Sequence, residues 1–297
     1  MLVGADGVNS RVRSGSRRRF GVHREAEGGS YRLQDDRRAY PGYGRSDGSW
    51  KTRVHVYDSK IGTVISPPKS DGKMSTVCLL PADGPNSFQA LMKSTSDVRA
   101  FFYKWYPRLF ADAEISEEVA RDFLEKRPSV QKTTICSHLA YGNVVLVGDA
   151  AHSMLASLGQ GVQAALEDCK VLARLLKTSS TGDPIDIGNV LRTYSQERLE
   201  DARAVCLLSE RGMGGQRSLR PAYMARLLLL VLLNKTLGIF APNMFGPPIL
   251  MKLRDPDIPY SEIWRGEVHE TKLLRRLGYV AGAGTALLAA SGIRLLL

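Results

Sequence analysis

The sequence predicts an α/β fold: a unit with buried parallel strands, interrupted by an antiparallel α+β sheet and followed by a helical C-terminal region. Three observations carry this. "NVVLVGD" at 143–149 holds four consecutive apolar residues, three of them β-branched, before Gly-Asp. Such a run reads as a strand buried on both faces. "MLVGADG" places a second strand tail, Leu2 and Val3, before the turn Gly4 to Gly7. Between them, residues 20–85 are rich in Gly, Ser, Tyr and charge, with short alternating runs such as "TRVHVYD" and "STVCLLP". These read as antiparallel strands joined by turns.

The remaining elements follow in order. From Phe88 to Leu109 the pattern turns helical, and Phe101, Phe102, Trp105 and Tyr106 form one apolar face expected in the core. After the strand at 143–149, a helix is expected from Gln160 to Leu176, with Val162, Ala165, Leu166, Cys169 and Leu172 at helical spacing. The polar break "KTSSTGDP" ends it. A second helix, about Ile187 to Arg211, carries Glu197, Arg198, Glu200, Asp201 and Arg203 on its expected wet side. "RGMGGQRSLRP" reads as a linker. Beyond it lie "LLLLVLL" at 227–233, a Pro-rich stretch and an apolar end.

Composition narrows the classes. Of 297 residues, 43% are hydrophobic and 24% charged, so a core can form. The net charge is +11, with an excess in Arg11, Arg13, Arg17, Arg18 and Arg19. A basic run is usually a solvated face; a phosphate-bearing cofactor or an anionic membrane surface would also use it. No nucleic acid partner is expected, because no motif or interleaved aromatics accompany the charge. The four cysteines, Cys78, Cys136, Cys169 and Cys206, have no paired spacing. That argues against a metal site and a disulfide framework and suggests a reducing compartment.

The segment 142–176 orders a buried strand, Gly-Asp, a loop of small residues, Gly-Gln-Gly and a helix. It can hold a large anionic or dipolar cofactor. Asp149, at the strand's carboxyl end, is an acceptor suited to a sugar or ribitol hydroxyl. Gly159 and Gly161 let backbone approach a ring. The helix start offers free N–H groups and a positive dipole end. Each residue has a plainer reading: Asp6 as a turn residue, Gly161 as a helix start, His152 as a packed loop histidine.

"GADGVNSRVR" and "GDAAH…GQG…ALED" resemble the second and third flavin fingerprints of the flavin monooxygenases related to para-hydroxybenzoate hydroxylase. The resemblance implies a Rossmann-like FAD-binding domain in two pieces, 1–19 and 138–180, around a substrate domain at 20–137. A helical region at 181–218 and a membrane-associated helical region at 219–297 follow. It implies that Asp149 bonds the flavin ribitol, that Gly159, Gln160 and Gly161 face the flavin pyrimidine ring, and that Asp6 organises backbone at the pyrophosphate and helps bind NADPH. Gly7, Arg13 and Gly148 complete the implied cofactor-binding set. FAD and NADPH are the implied cofactors, and a small molecule and O2 the implied reactants. The family begins with a Gly-x-Gly-x-x-Gly unit that is not found here, so the FAD-binding domain is expected to be truncated: a fragment, a truncated gene model or a shortened paralogue.

Within the family, "LGQGVQAALEDCKVL", "TYSQERLEDARAV" and "PPILMKLRDPDIPYSEI" are similar to the kynurenine monooxygenase-like branch. The resemblance covers most of 1–20 and 140–297; residues 20–137 match in length and general character. Departures bear on the substrate. Ala156 replaces a proline, and Ser157 and Leu158 replace an aromatic pair. Ser195 and Leu250, the candidate substrate residues, replace an asparagine and a tyrosine. The implied activity is a monooxygenation through a flavin hydroperoxide, in which the flavin carries the chemistry. No catalytic residue is assigned. An isoprenoid epoxidase of the same fold and a non-catalytic flavoprotein remnant are the alternatives.

Residues 277–293 are seventeen in a row without charge, flanked by Lys272, Arg275, Arg276 and Arg294. As a helix they would span about 26 Å, slightly less than a hydrocarbon core. Gly278 and Gly282 have the spacing that lets helices pack closely. A transmembrane helix or membrane anchor is the expectation, against a soluble packed terminal helix.

Overall fold

The structure, a computed structural model, describes residues 1–15, 20–29, 31–32, 52–70, 75–109, 114–126, 130–179, 185–211, 228–229, 231–232, 236 and 249–276. The chain divides into two units, Met1–Met224 and Ala225–Leu297. Arg17–Arg19, most of "LLLLVLL", the linker after Arg211 and the apolar segment 277–293 lie outside the described residues.

The first unit opens with strand β1 (Leu2–Gly4) and the short helix α1 (Arg11–Gly15). Strands β2 (Val22–Gly29), β3 (Tyr31–Arg32), β4 (His55–Asp58), β5 (Thr63–Ser66) and β6 (Val77–Leu79) follow. Next come helices α2 (Phe88–Leu91), α3 (Thr95–Trp105) and α4 (Glu117–Glu125), then strands β7 (Val130–Cys136), β8 (Ala140–Tyr141) and β9 (Val144–Leu146). Helices α5 (Asp149–His152), α6 (Gly161–Thr178) and α7 (Ile187–Arg211) complete it. In the second unit, Ile249–Lys252 and 260–276 are helical. There Lys252 Nζ meets the buried carboxylate of Glu270 at 3.0 Å.

Three sheets form. In the first, β1 and β9 are parallel, pairing Leu2 with Val144 and Gly4 with Leu146, and β8 returns antiparallel on β9. The second is the antiparallel pair of β2 and β7. The third has the order β3-β6-β5-β4, all antiparallel. The alternating runs "TRVHVYD" and "STVCLLP" supply β4 and β6 of this sheet, as their period of two requires.

The sheets serve two cores. Val64, Cys78 and Leu80 from the antiparallel layer pack with Phe88, Phe101, Phe102, Tyr106 and Phe123. Burial pushes the Cys78 thiol up to about 12. The second core gathers Phe20, Leu139, Val145, Leu146, Leu191 and Tyr194. It holds the parallel pair and the helices behind the candidate site. All four cysteines are free thiols.

Three expectations need correction. The helical stretch from Phe88 to Leu109 is broken. Ser94 and Asp97 form a reciprocal capping box that starts α3 afresh, and a 3-10 turn, Pro107–Leu109, follows it. The aromatic face survives, with Phe101, Phe102 and Tyr106 buried and Trp105 half-buried. Second, Leu2 and Val3 are 54% and 41% exposed. Among the described residues β1 is paired along one edge only, so its side chains lack the second neighbour that buries a central parallel strand. Third, the stripe Val162–Leu166–Cys169 of α6 faces outward, with Val162 75% and Leu166 64% exposed. The buried face is Ala164, Asp168 and Leu172, and it packs around a charged group.

Candidate functional site

The parallel pair β1/β9 brings two loops to the same sheet end, because the carboxyl ends of parallel strands lie side by side. After β1, Asp6 organises the loop. Its Oδ1 accepts from Ser10 Oγ at 2.5 Å, and its Oδ2 accepts the N–H groups of Arg11 at 2.6 Å and Val12 at 3.2 Å. The hydrogen bond from Ser10 leads the contacts that hold the Asp6 carboxyl below its ordinary value. Asp6 therefore serves the backbone of its own turn and satisfies two orphan donors at the start of α1.

Arg13 joins this loop to the second one. Its guanidinium is buried and donates to the carbonyls of Ala150, 2.7 Å away, and Val8, 2.6 Å away. Residues 137 apart in sequence are tied by one side chain. Ala150 belongs to α5, which starts at Asp149 directly after β9 and Gly148.

Gly148 has φ 59° and ψ −144°, a region that only glycine occupies without strain. Its N–H donates to Asp168 Oδ2 at 2.8 Å. Asp149 is exposed and, among the described residues, its carboxylate has no hydrogen-bond or ion-pair partner. An unpaired carboxylate at a strand's carboxyl end is free to accept from a ligand hydroxyl.

The third segment is the loop before α6. Gly159 takes the left-handed conformation, φ 67° and ψ 19°, and so turns the chain into Gln160 and the first helical residue, Gly161. A methyl group placed on Gly7, Gly159 or Gly161 would meet no atom within 4 Å. Backbone is bare at these points, and the first N–H groups of an 18-residue helix lie just beyond Gln160. The donor set suits FAD: a free carboxylate for a polyol, bare backbone for a ring, and a helix start for partial negative charge.

Behind these loops lies a network that the periodicity of the sequence does not reveal. Asp168 is fully buried, accepts from Gly148, meets His152 Nε2 at 2.6 Å through Oδ2 and Arg198 Nε at 3.0 Å through Oδ1. Arg198, expected on the wet side of its helix, is 4% exposed and also pairs with Glu167 and Asp201. Burial pushes the Asp168 carboxyl up. The hydrogen bond and attraction of His152, the charge of Arg198 and the Gly148 N–H outweigh it, so the group lies below the usual carboxylate value. Burial likewise lowers the Arg198 guanidinium, and Asp168, Glu167 and Asp201 more than restore it. Tyr194 Oη donates to Leu146 O at 3.2 Å, and the Cys206 thiol lies 3.6 Å from His152 O. The one sequence signal for this network is a carboxylate at the middle of Ala164-x3-Asp168-x3-Leu172, three positions on one helical face.

The candidate substrate residues fall in different units of the chain. Ser195 is buried, accepts the N–H of Leu139 at 2.9 Å and lines a pocket of about 400 Å³ with Asn143, Leu191, Arg192 and Gln196. Asn143 precedes β9 and Gly148 follows it, so this pocket opens at the other end of the strand from Asp149. Leu250 belongs to the helical turn Ile249–Lys252 of the second unit, and its side chain lies outside the described residues. Among the described residues no group of three or more His, Cys, Asp or Glu could hold a metal ion.

Comparison with known proteins places the chain in a family. The chain is 30% identical over 217 residues to the kynurenine 3-monooxygenase of Christiangramia forsetii, covering 71% of this chain and 45% of that protein. It is 29% identical over 273 residues to that of Cryptococcus neoformans var. neoformans serotype D, covering 82% and 52%. The chain thus spans about half the length of the curated relatives it matches. Among solved structures, a variant of 2-methyl-3-hydroxypyridine-5-carboxylic acid oxygenase superposes with a TM-score of 0.52 at 20% identity, covering 70% of this chain and 52% of that one. The fold is therefore shared with that oxygenase. Residues 1–209, which hold β1, β9 and all three loops of the site, match the family described as FAD binding domain, and the chain belongs to that family.

Proposed function

We propose that this chain forms part of an FAD-dependent, NADPH-using monooxygenase that inserts one oxygen atom of O2 into an aromatic or related small molecule. The observation that carries the reading is the carboxylate of Asp149, unpaired among the described residues, together with the bare backbone at Gly159 and Gly161. In this reading Asp149 accepts from the ribitol, Gly159–Gly161 meet the pyrimidine edge, and the α6 start stabilises negative charge there. Asp6 and Gly7 shape the loop at the pyrophosphate. Arg13 keeps that loop against Ala150. Bound flavin would supply the redox and oxygen chemistry. The chain's own residues bind and orient it. The test is a flavin spectrum of the purified chain and O2-dependent oxidation of NADPH; a chain that takes up no FAD from solution would count against the reading.

The curated relatives act on kynurenine by name. We expect kynurenine to be a poor substrate for the complete enzyme. Where the resembled branch carries an asparagine and a tyrosine, this chain has Ser195 and Leu250, and Leu250 donates no hydrogen bond. Each lost partner for a zwitterion costs about 1–3 kcal/mol, or about 10–100-fold in kcat/KM. Steady-state assays with kynurenine test this. Leu250→Tyr should raise kynurenine turnover, and efficient wild-type turnover would overturn it.

Membrane attachment through 277–293 is proposed on sequence alone. No helix among the described residues is long and apolar enough to cross a membrane, and this segment is not among them. Cell fractionation should find the full chain in the membrane pellet and a version ending at Arg276 in the supernatant. A spanning helix resists high salt, whereas an interfacial one held partly by Arg and Lys is released. Both versions in the supernatant at low salt would refute attachment.

A further inference from the structure

We propose that Asp168 is the positioning residue of the cofactor site, clamping the turn that presents Asp149 onto the helix that begins at Gly161. The inference rests on the flavoprotein reading and adds a role to a residue that makes no contact of its own with the ligand.

Three features point to it. First, one carboxylate holds both ends of α5. Gly148, the residue before the helix, donates to Asp168 Oδ2 at 2.8 Å, and His152, its last residue, meets the same oxygen at 2.6 Å. Asp149 lies between those anchors, so its backbone cannot shift without disturbing one of them. Second, Asp168 belongs to α6, seven residues after Gly161. The clamp therefore fixes the Asp149 turn relative to the helix start, the two surfaces that would hold one ligand. Third, the turn is held in a backbone region that only glycine tolerates, with Gly148 against Ala165, where an added methyl would lie 3.3 Å away. Glycine makes this turn available without strain, and the bond from its N–H to Asp168 holds it there.

The network is costly for a purely stabilising device. Buried ion pairs are often no better for stability than well-packed apolar residues. Among the described residues, His152 Nδ1 is buried with no hydrogen-bond partner. Arg198 is committed to Asp168, Glu167 and Asp201 together, which keeps the clamp's carboxylate charged inside the fold.

The test compares FAD affinity, by flavin fluorescence, in the full chain and in variants below their melting transitions. Asp168→Asn should weaken FAD about 10–100-fold, the effect of losing a charge-assisted hydrogen bond, and should reduce the visible circular dichroism of the bound flavin. Phe102→Ala opens a cavity in the other core and lowers stability without touching the clamp. Its FAD affinity should stay within about twofold of wild type. If Asp168→Asn does not fold, Arg198→Gln replaces it. The Asp168 carboxylate then faces His152 of α5 and Tyr194 of α7 without the Arg198 charge, with Glu167 and Asp201 nearby. Its FAD affinity should fall more steeply than that of wild type between pH 7 and pH 5. The proposal is overturned if Asp168→Asn binds FAD within about twofold of wild type, if Phe102→Ala loses as much affinity, or if the Arg198→Gln pH profile parallels that of wild type. A wild-type chain that binds no FAD overturns the flavoprotein reading and this inference together.

Discussion

Asp149→Ala should leave a folded chain that no longer retains FAD. The carboxylate stands at the carboxyl end of β9, exposed, and among the described residues it has no protein partner. Removing it breaks no hydrogen bond or ion pair among the described residues, so stability should change by no more than about 0.5 kcal/mol, as for a surface substitution away from special features. Ligand binding should respond very differently. A carboxylate that accepts from a polyol hydroxyl makes a charge-assisted bond, worth about 1.5–3 kcal/mol, and each such bond lost weakens binding about 10–100-fold. Two hydroxyls on one carboxylate would bring the loss to the point where flavin no longer co-purifies. Asp149→Asn keeps one acceptor and should fall between. The check is flavin content after purification, then titration with FAD followed by fluorescence, beside a thermal melt. An alanine variant with wild-type flavin content would remove Asp149 from the site. A variant that loses both flavin and its fold would show that the carboxylate carries a structural contact the geometry does not reveal.

The parts of this site that local sequence makes legible are those with local causes. "NVVLVGD" announces a buried strand because four apolar residues in a row suit a strand covered on both faces, and Val145, Leu146 and Val147 are buried. Gly159 and Gly161 are visible because turns and helix starts have their own residue chemistry. Asp6 is visible for the same reason, and it binds its own turn. The buried charges are not visible. Periodicity places Val162, Ala165 and Leu166 on one face of α6 but cannot say which face the fold covers. The covered face holds Asp168, because its partners come from elsewhere: His152 is 16 positions earlier and Arg198 is 30 later. Arg198 reads as a solvated residue in a charged stretch for the same reason. Arg13 reads as one more cation in a basic run, yet it ends on the carbonyl of Ala150, 137 positions away. The boundary inside 88–109 lay within reach, since Ser94-x-x-Asp97 has the capping-box spacing, with aspartate in place of the usual glutamate.

Arg198→Ala should destabilise the first unit by roughly 3–5 kcal/mol, the effect of removing one partner of a buried ion pair. The side chain is 4% exposed and neutralises Asp168, which is wholly buried. Without it, Asp168 retains the Gly148 N–H and His152 but loses its strongest fixed positive charge. Arg198→Met refills much of the space and isolates the electrostatic part; it should recover the cavity fraction of the loss and no more. Changing Asp168→Leu in the same chain then removes the stranded carboxylate. That double variant should be more stable than Arg198→Met alone, though Gly148 N–H and His152 Nε2 are left without their acceptor, at about 1–3 kcal/mol for each buried group so stranded. The signature is therefore a large positive coupling in a double-mutant cycle, not two additive losses.

The pH dependence gives an independent reading of the same pair. Asp168 is held below its unfolded value, about 3.9, so its contribution to stability is fully present above that pH and is lost as pH falls through its folded value. Wild-type stability arising from this pair should hold down to about pH 4 and decline only below it. With Arg198→Met, burial acts on Asp168 with less opposition, its folded value rises, and the decline begins at higher pH. Urea midpoints at a series of pH values from 3 to 7 measure both effects. Equal midpoints for wild type and Arg198→Met at pH 7 would show that the guanidinium contributes nothing to the fold, and an unshifted acid limb would show that it does not set the charge of Asp168.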